Sequence, residues 1–344
     1  MRGWRVQSVD LRDRSRVLST LDPRGAIFLG VALDDVTAAD LRRRGALLFP
    51  LVPALPFDPY RIKLYTPGDL YAGIDAEQYE RTPDARIYAW NQRTGRRHDV
   101  ADTLFAAMHD HAVDDALDEA LRDGLGSSAG LVGVMGGHAT LRDQPAYGFA
   151  ARLGHALGAA GFTVATGGGP GAMEAANLGA YLADEAPDMV DTAVTALAAV
   201  PDFAPDITAW ARLGLAVLGA HPGGRATLGV PTWFYGHEPP NVFASAIAKY
   251  FQNAIREAVL LARCDGGIVF LPGVGGTVQE VFQAACENYY ADEDHVAPMV
   301  LVGRRYWMHE LPAWPLLTSL AVGHPMADRL VCVDTIDEVL EALC

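Results

Sequence analysis

Short apolar runs alternate with longer stretches of helical spacing along this chain, and the alternation sharpens after Gly130. LVGVMGG (131–137) and FTVATGGG (162–169) each read as a buried strand running into a glycine turn. Each is followed by a helical stretch, at 146–160 and at about 171–182. ATLGVPTWF (226–234) returns to strand, and 243–263 carries the apolar spacing of one long helix. GIVFLPG (267–273) is a further strand, with a helix over 277–289. PMVLVG (298–303) and LVCVD (330–334) complete the strands, and 336–343 closes as a helix. Near-continuous apolar strands separated by helices predict an α/β fold, a Rossmann-like parallel sheet with helices on both faces.

The first part of the chain has a weaker pattern. Residues 1–125 read as a smaller N-terminal α/β region, with strands at 26–33 and 46–52 and a helix at 37–44. The Pro- and Tyr-rich stretch 53–71 reads as an ordered covering loop. Over 103–122, Leu104, Met108, Val113, Leu117 and Leu121 fall roughly on one side of a helix. Residues 126–344 form the main domain, interrupted at about 186–222 by two apolar helices around the breaker 201–205.

Composition narrows the partners. A net charge of −15 works against a nucleic acid polymer, whose binding leans on phosphate neutralisation. A small phosphorylated ligand stays open, because a local cradle can outvote the global field. Lys63 and Lys249 are the only lysines among 27 basic side chains. Neither lies by a glycine turn, which argues against a pyridoxal phosphate Schiff base, and no cofactor is expected. Cys264, Cys286, Cys332 and Cys344 have no metal-ligand spacing, and His138, His221 and His237 have no metal-binding partner in sequence, so no metal is expected. The N-terminus lacks a signal-peptide core and no apolar run approaches a membrane span, so the expected location is the cytoplasm, away from membranes.

Three glycine turns carry the candidate chemistry: Gly136-Gly137, the run from Gly167 through Gly168, Gly169 and Pro170 to Gly171, and the run from Pro272 through Gly273, Val274, Gly275 and Gly276 to Thr277. Each opens a helix, where free amides and the dipole favour an anion and a missing Cβ permits close approach. Ligands of such sheets sit beyond the carboxyl ends of the strands, where these turns fall. A P-loop is ruled out by the lack of any Gly-Lys pair. A dinucleotide fingerprint is ruled out by the spacing of GGGPGAME and by the Trp233-Phe234-Tyr235 that ends the next strand.

GGGPGAMEAANLGA (167–180) together with PGVGGTVQE (272–280) resembles the LOG-like family, proteins often labelled lysine decarboxylases. EPPN (238–241), with Arg256 fifteen positions on, is similar to the nucleotide 5′-monophosphate nucleosidase branch. The likeness covers roughly residues 130–340. It implies hydrolysis of a nucleoside 5′-monophosphate to free base and ribose 5-phosphate, by a protein that is at least a homodimer. It places the essential glutamate and arginine on Glu280 and Arg256, and the phosphate cradle on Gly273, Gly275, Gly276 and Thr277. Glu174 would reach a ribose hydroxyl, and Asn241 and Asn253 would face the ligand. Two departures stand out. Val274 occupies the second glycine of the family's PGG, and Arg256 lies one residue further from Pro272 than the pattern has it, leaving Glu257 and Arg263 as alternatives. Taken alone, Glu280 also reads as a first-turn glutamate complementing its helix dipole, and Trp233, Phe234 and Tyr235 as strand-end packing rather than a base platform.

Overall fold

A computed structural model describes residues 1–94, 99–126, 129–234 and 238–343. Its first unit is a three-stranded parallel sheet of β1 (Arg5–Gln7), β2 (Ile27–Leu29) and β3 (Leu47–Phe49), in that order. Two helices accompany it, α1 (Ser15–Leu18) and α2 (Asp35–Arg43). The Asp34 carboxylate accepts the Thr37 amide and starts α2. This unit keeps its own small core of Leu18, Ala26, Phe28, Val31, Leu41 and Ala46.

Phe57 onward belongs to a different core. The helices α3 (Pro67–Leu70), α4 (Pro83–Thr94) and α5 (Val100–Ala120) send Leu70, Ile87, Trp90, Val113 and Leu117 into the apolar cluster of the large sheet. The apolar contacts therefore change allegiance between Phe49 and Phe57, and α5 packs with the main domain.

The large sheet has seven strands, all parallel: β4 (Leu131–Met135), β5 (Thr163–Thr166), β6 (Leu228–Gly229), β7 (Ala246–Ile247), β8 (Gly267–Phe270), β9 (Met299–Val302) and β10 (Leu330–Val333). Their order is β10-β9-β8-β4-β5-β6-β7. The chain winds one way from β4 to β7 and the other way from β8 to β10, so the direction reverses between neighbours β4 and β8. Helices α6 (Pro145–Ala159), α7 (Ala172–Tyr181), α8 (Pro187–Leu197), α9 (Ile207–Ala220), α10 (Asn253–Ala262), α11 (Gly275–Tyr290), α12 (Ala313–Ala321) and α13 (Ile336–Leu343) surround the sheet. Right-handed crossovers on either side of such a reversal open a crevice at the strand ends. No helix among the described residues is long and apolar enough to cross a membrane.

The expected helix over 243–263 is corrected. Its first half is extended and supplies edge strand β7, and only Asn253–Ala262 is helical. The cause is local. The Asn241 side-chain oxygen accepts the amides of Phe243 (3.1 Å) and Ala244 (3.0 Å), turning the backbone away from helix. Phe243, Ala244, Ile247, Ala248 and Tyr250 are then buried, a pattern helix periodicity mimics. The strand expected at 226–234 likewise shrinks to Leu228–Gly229. The 53–71 stretch does cover something: Tyr65 and Ile247 exchange backbone hydrogen bonds of 2.8 and 2.9 Å, closing the open edge at β7.

Candidate functional site

Beyond the ends of β8, β4 and β5 the three glycine turns are stitched into one surface. The Gly137 amide donates to the Pro272 carbonyl (3.3 Å), and the Ala172 amide donates to the Gly137 carbonyl (3.1 Å). Gly136 packs on Ala172 and Leu271, Gly168 on Pro231, and Gly169 beside Met173 and Glu238. Gly171 has φ +76°, and a Cβ there would lie 2.5 Å from the Gly137 carbonyl oxygen. Both strain and collision oppose a side chain. Gly171→Ala should therefore cost more than about 1 kcal/mol of stability, measured by urea titration; an unchanged midpoint would show that the turn tolerates the group.

Asn241 is committed to this framework rather than free for a ligand. Its backbone amide donates to the Gly168 carbonyl (2.9 Å) and its side-chain nitrogen to the Gly169 carbonyl (3.1 Å) and Asn177 Oδ1 (3.1 Å). Asn177 Oδ1 also accepts from the Thr166 hydroxyl at 2.7 Å. With the Asn241 oxygen taken by two amides, every polar group of that side chain is used.

The start of α11 is different in kind. Val274 provides no side-chain cap, so the first amides of the helix lack intrahelical acceptors. Gly275 and Gly276 are exposed, and a Cβ on either would meet nothing within 4 Å. Gly273 is buried beneath them, its carbonyl accepting the Tyr306 hydroxyl at 2.8 Å and its α-carbon facing the Thr277 hydroxyl. Val274 is 67% exposed and projects outward, so it leaves the space over the two following glycines clear.

Beside this helix start lies a buried ion pair. Arg256 Nη1 stands 3.1 Å from Glu280 Oε1, with the two side chains 11% and 10% exposed. A Cβ on Gly167 would lie 3.7 Å from the same Nη1, so the pair sits against the β5 turn. Arg256 Nε is buried without a hydrogen-bond partner. Burial pushes the Glu280 carboxyl above its ordinary range; Arg256 pulls it back in part, and the neighbouring Glu257 adds to the rise. Of the two alternatives to Arg256, Arg263 is engaged away from the pair, while Glu257 lies beside it with its carboxylate already bonded. Arg263 pairs with Asp114 and Asp118 at 2.9 and 2.8 Å, and Glu257 accepts from Asn253 (2.7 Å) and from Gln279.

Glu174 is not at the mouth of the crevice. It is fully buried and gripped by Arg142 through two bonds of 2.5 and 3.1 Å, a fork that also stacks over Trp210 at 4.4 Å. A carboxylate this deep is committed to its cation in the free protein. Trp233 is also inside, its indole N–H donating to Asp84 at 2.8 Å, and Lys249 pairs with the same carboxylate at 2.7 Å, which explains a lone lysine far from any glycine turn. Phe234 is 57% exposed, five residues past the end of β6. His138 lies 3.7 Å from Glu238 across the turns, and His221 binds Glu185. Tyr235, His237 and Cys344 lie outside the described residues. Among the described residues no cluster of His, Cys, Asp and Glu fits a metal. Arg142 and Asp84 went unread in the sequence because each partner is far along the chain, whereas Glu238 carried a local signal inside EPPN.

No family model and no curated protein matches the chain. Among solved structures, it is similar to a molybdenum cofactor binding protein from the phototrophic bacterium Rippkaea orientalis, at 18% identity and TM-score 0.39, covering 62% of this chain and 93% of that one. It is also similar to the molybdenum cofactor carrier protein of Chlamydomonas reinhardtii in two structures. These have identities of 19% and 20%, TM-scores of 0.38 and 0.36, 62% coverage of this chain, and 94% and 98% of theirs. At these TM-scores the likeness carries no inference about ligand or activity.

Proposed function

We propose that the chain hydrolyses the N-glycosidic bond of a nucleoside 5′-monophosphate, giving free base and ribose 5-phosphate. One observation carries the reading: a desolvated carboxylate, Glu280, is set against Arg256 and the Gly167 turn on the same helix whose uncapped, open N-terminus fits a phosphate. With the 5′-phosphate on the amides of Gly275, Gly276 and Thr277, the sugar extends toward Glu280. As the bond from C1′ to the base breaks, the electron pair leaves with the base, which takes up a proton. The ribose acquires oxocarbenium character that a nearby carboxylate stabilises. Water then adds its oxygen to C1′ and releases a proton. Arg256 keeps Glu280 ionised in a site that otherwise favours the neutral acid.

The direct test is incubation of the purified protein with AMP, GMP, CMP and UMP, with chromatographic detection of free base. Release from at least one is expected; none from any, with the fold intact by circular dichroism, sinks the reading. The ionised form of Glu280 is the working one, and its pKa is raised above 4.5. Activity should therefore climb as pH rises through an acid limb displaced above that value. A rate flat from pH 4 to 7 would contradict the role, since about one pH unit of displacement already corresponds to a tenfold change in ionised fraction.

A second reading, a nucleotide-binding module without turnover, is favoured by the occupation of Glu280 by Arg256 in the free protein. Tight nucleotide retention with no base released, unaffected by Glu280→Gln, would select it.

A further inference from the structure

Helix α5 meets α10 along a stripe of three aspartates at successive turns. Asp110 accepts the two backbone amides just before α10, from Phe251 at 2.9 Å and Gln252 at 3.0 Å, one on each carboxylate oxygen. At the other end Arg263, the residue that closes α10, is held by Asp114 and Asp118. An anion at the start of a helix and a cation at its end both suit the dipole, so α10 is fastened at each terminus in the favourable sense. Asp110 is itself backed by a buried chain: His109 Nδ1 lies 3.3 Å from its carboxylate, and the Tyr65 hydroxyl contacts His109 Nε2 at 2.8 Å. Aromatic rings of Phe57, Trp233 and Phe251 pack around that imidazole and leave it no room to swing.

What α10 carries between these fastenings is Arg256, one turn beyond Gln252, reaching across to Glu280 on α11. Besides its packing against the Gly167 turn, the Arg256 guanidinium has one hydrogen bond among the described residues, that to Glu280, its Nε being unpartnered. Its position must come from the helix beneath it. We infer that Asp110, backed by His109 and Tyr65 and assisted by Asp114 and Asp118, is a positioning residue that sets Arg256 against Glu280. Helix α5, with Tyr65 behind it, thus acts as a brace for the site rather than a lid over it. The kinetic consequence rests on the nucleosidase reading; the geometric one does not.

The test is a double-mutant cycle between Asp110→Asn and Glu280→Gln, read in base release from AMP and in thermal midpoint. Asp110 holds the amides of residues 251 and 252 and not the α11 amides that would hold the phosphate, so Asp110→Asn should lower kcat by about 10- to 100-fold, as a small misplacement of a reacting group does, and leave KM nearly unchanged. Its thermal shift should combine with that of Glu280→Gln to less than their sum, because both variants disable one coupled unit. Should the wild type release no base, the nucleosidase reading fails while the thermal cycle still decides the brace. If Asp110→Asn does not fold, Asp114→Asn with Asp118→Asn, at carboxylates 33% and 50% exposed, takes its place with a smaller effect in the same direction. An unchanged kcat, a rise confined to KM, or strictly additive thermal shifts overturns the brace.

Discussion

Glu280→Gln should remove base release almost entirely, by about 10²- to 10³-fold in kcat, while nucleotide affinity stays close to that of the wild type. The substitution keeps the volume and one hydrogen-bond acceptor for Arg256, but deletes the charge that would face the developing oxocarbenium ion. Binding is spared because the phosphate would be held by backbone amides at residues 275–277, which the change does not touch. The acid limb of the pH profile should vanish with it. Arg256→Met supplies the complementary result. Without its cation, the carboxyl already raised by burial rises further, and the acid limb should move to higher pH. Isotope-free assays suffice: base release by chromatography and nucleotide affinity by calorimetry. A Glu280→Gln protein that turns over AMP at the wild-type rate would falsify the role assigned to this carboxylate.

Glu174→Gln and Arg142→Met should each cost about 3–5 kcal/mol of unfolding free energy, the usual penalty for stranding one member of a buried ion pair. Arg142 is 1% exposed and Glu174 fully buried. Beyond the carboxylate, Arg142 Nη1 donates to the carbonyls of Val200 (3.3 Å) and Trp210 (3.2 Å), so this one side chain fastens the α8–α9 excursion to the first turn of α7. The double substitution Arg142→Met with Glu174→Met should recover part of the loss by removing both charges, leaving the two carbonyls as the residual cost. Urea titration monitored by tryptophan fluorescence reads the effect, since Trp210 lies under the guanidinium. A loss below about 1 kcal/mol for either single variant would mean that water reaches the pair.

The sheet was legible because most of its strands are apolar on both faces and β4, β5 and β9 run directly into glycine, two signals that survive without knowledge of neighbours. The turns at 136–137, 167–171 and 272–277 were legible for the same reason, and the structure brings all three to one edge, but only the second and third open a helix, since α6 begins at Pro145, eight residues past Gly137. Strand β7 was not, because FASAIAKY satisfies helical and extended burial equally. What decides between them is an asparagine side chain and a pairing with Tyr65, both set by the tertiary fold. Glu174 illustrates the opposite error. Its place one turn into a helix after a glycine run looks like a ligand contact, and only the arrival of Arg142 from an unmarked loop reveals it as part of the interior. Short-range pattern thus located the glycine turns, while the commitments of the side chains around them depended on long-range partners. The three aspartates of α5 stand at helical spacing, but what they hold becomes visible only with residues 251, 252 and 263 beside them.

The reversal of winding between β4 and β8 has a consequence for how the chain is made. Val132 of β4 pairs with Gly267 of β8, and no strand of the sheet joins its neighbour through a hairpin. Until the ribosome has synthesised β8, the central strand has one flank without a partner, and contacts of such long sequence separation form slowly. The emerging chain therefore carries β4 with one flank unpaired from residue 135 until β8 is made at 267–270, which makes yield from rapid expression sensitive to growth temperature and chaperone supply.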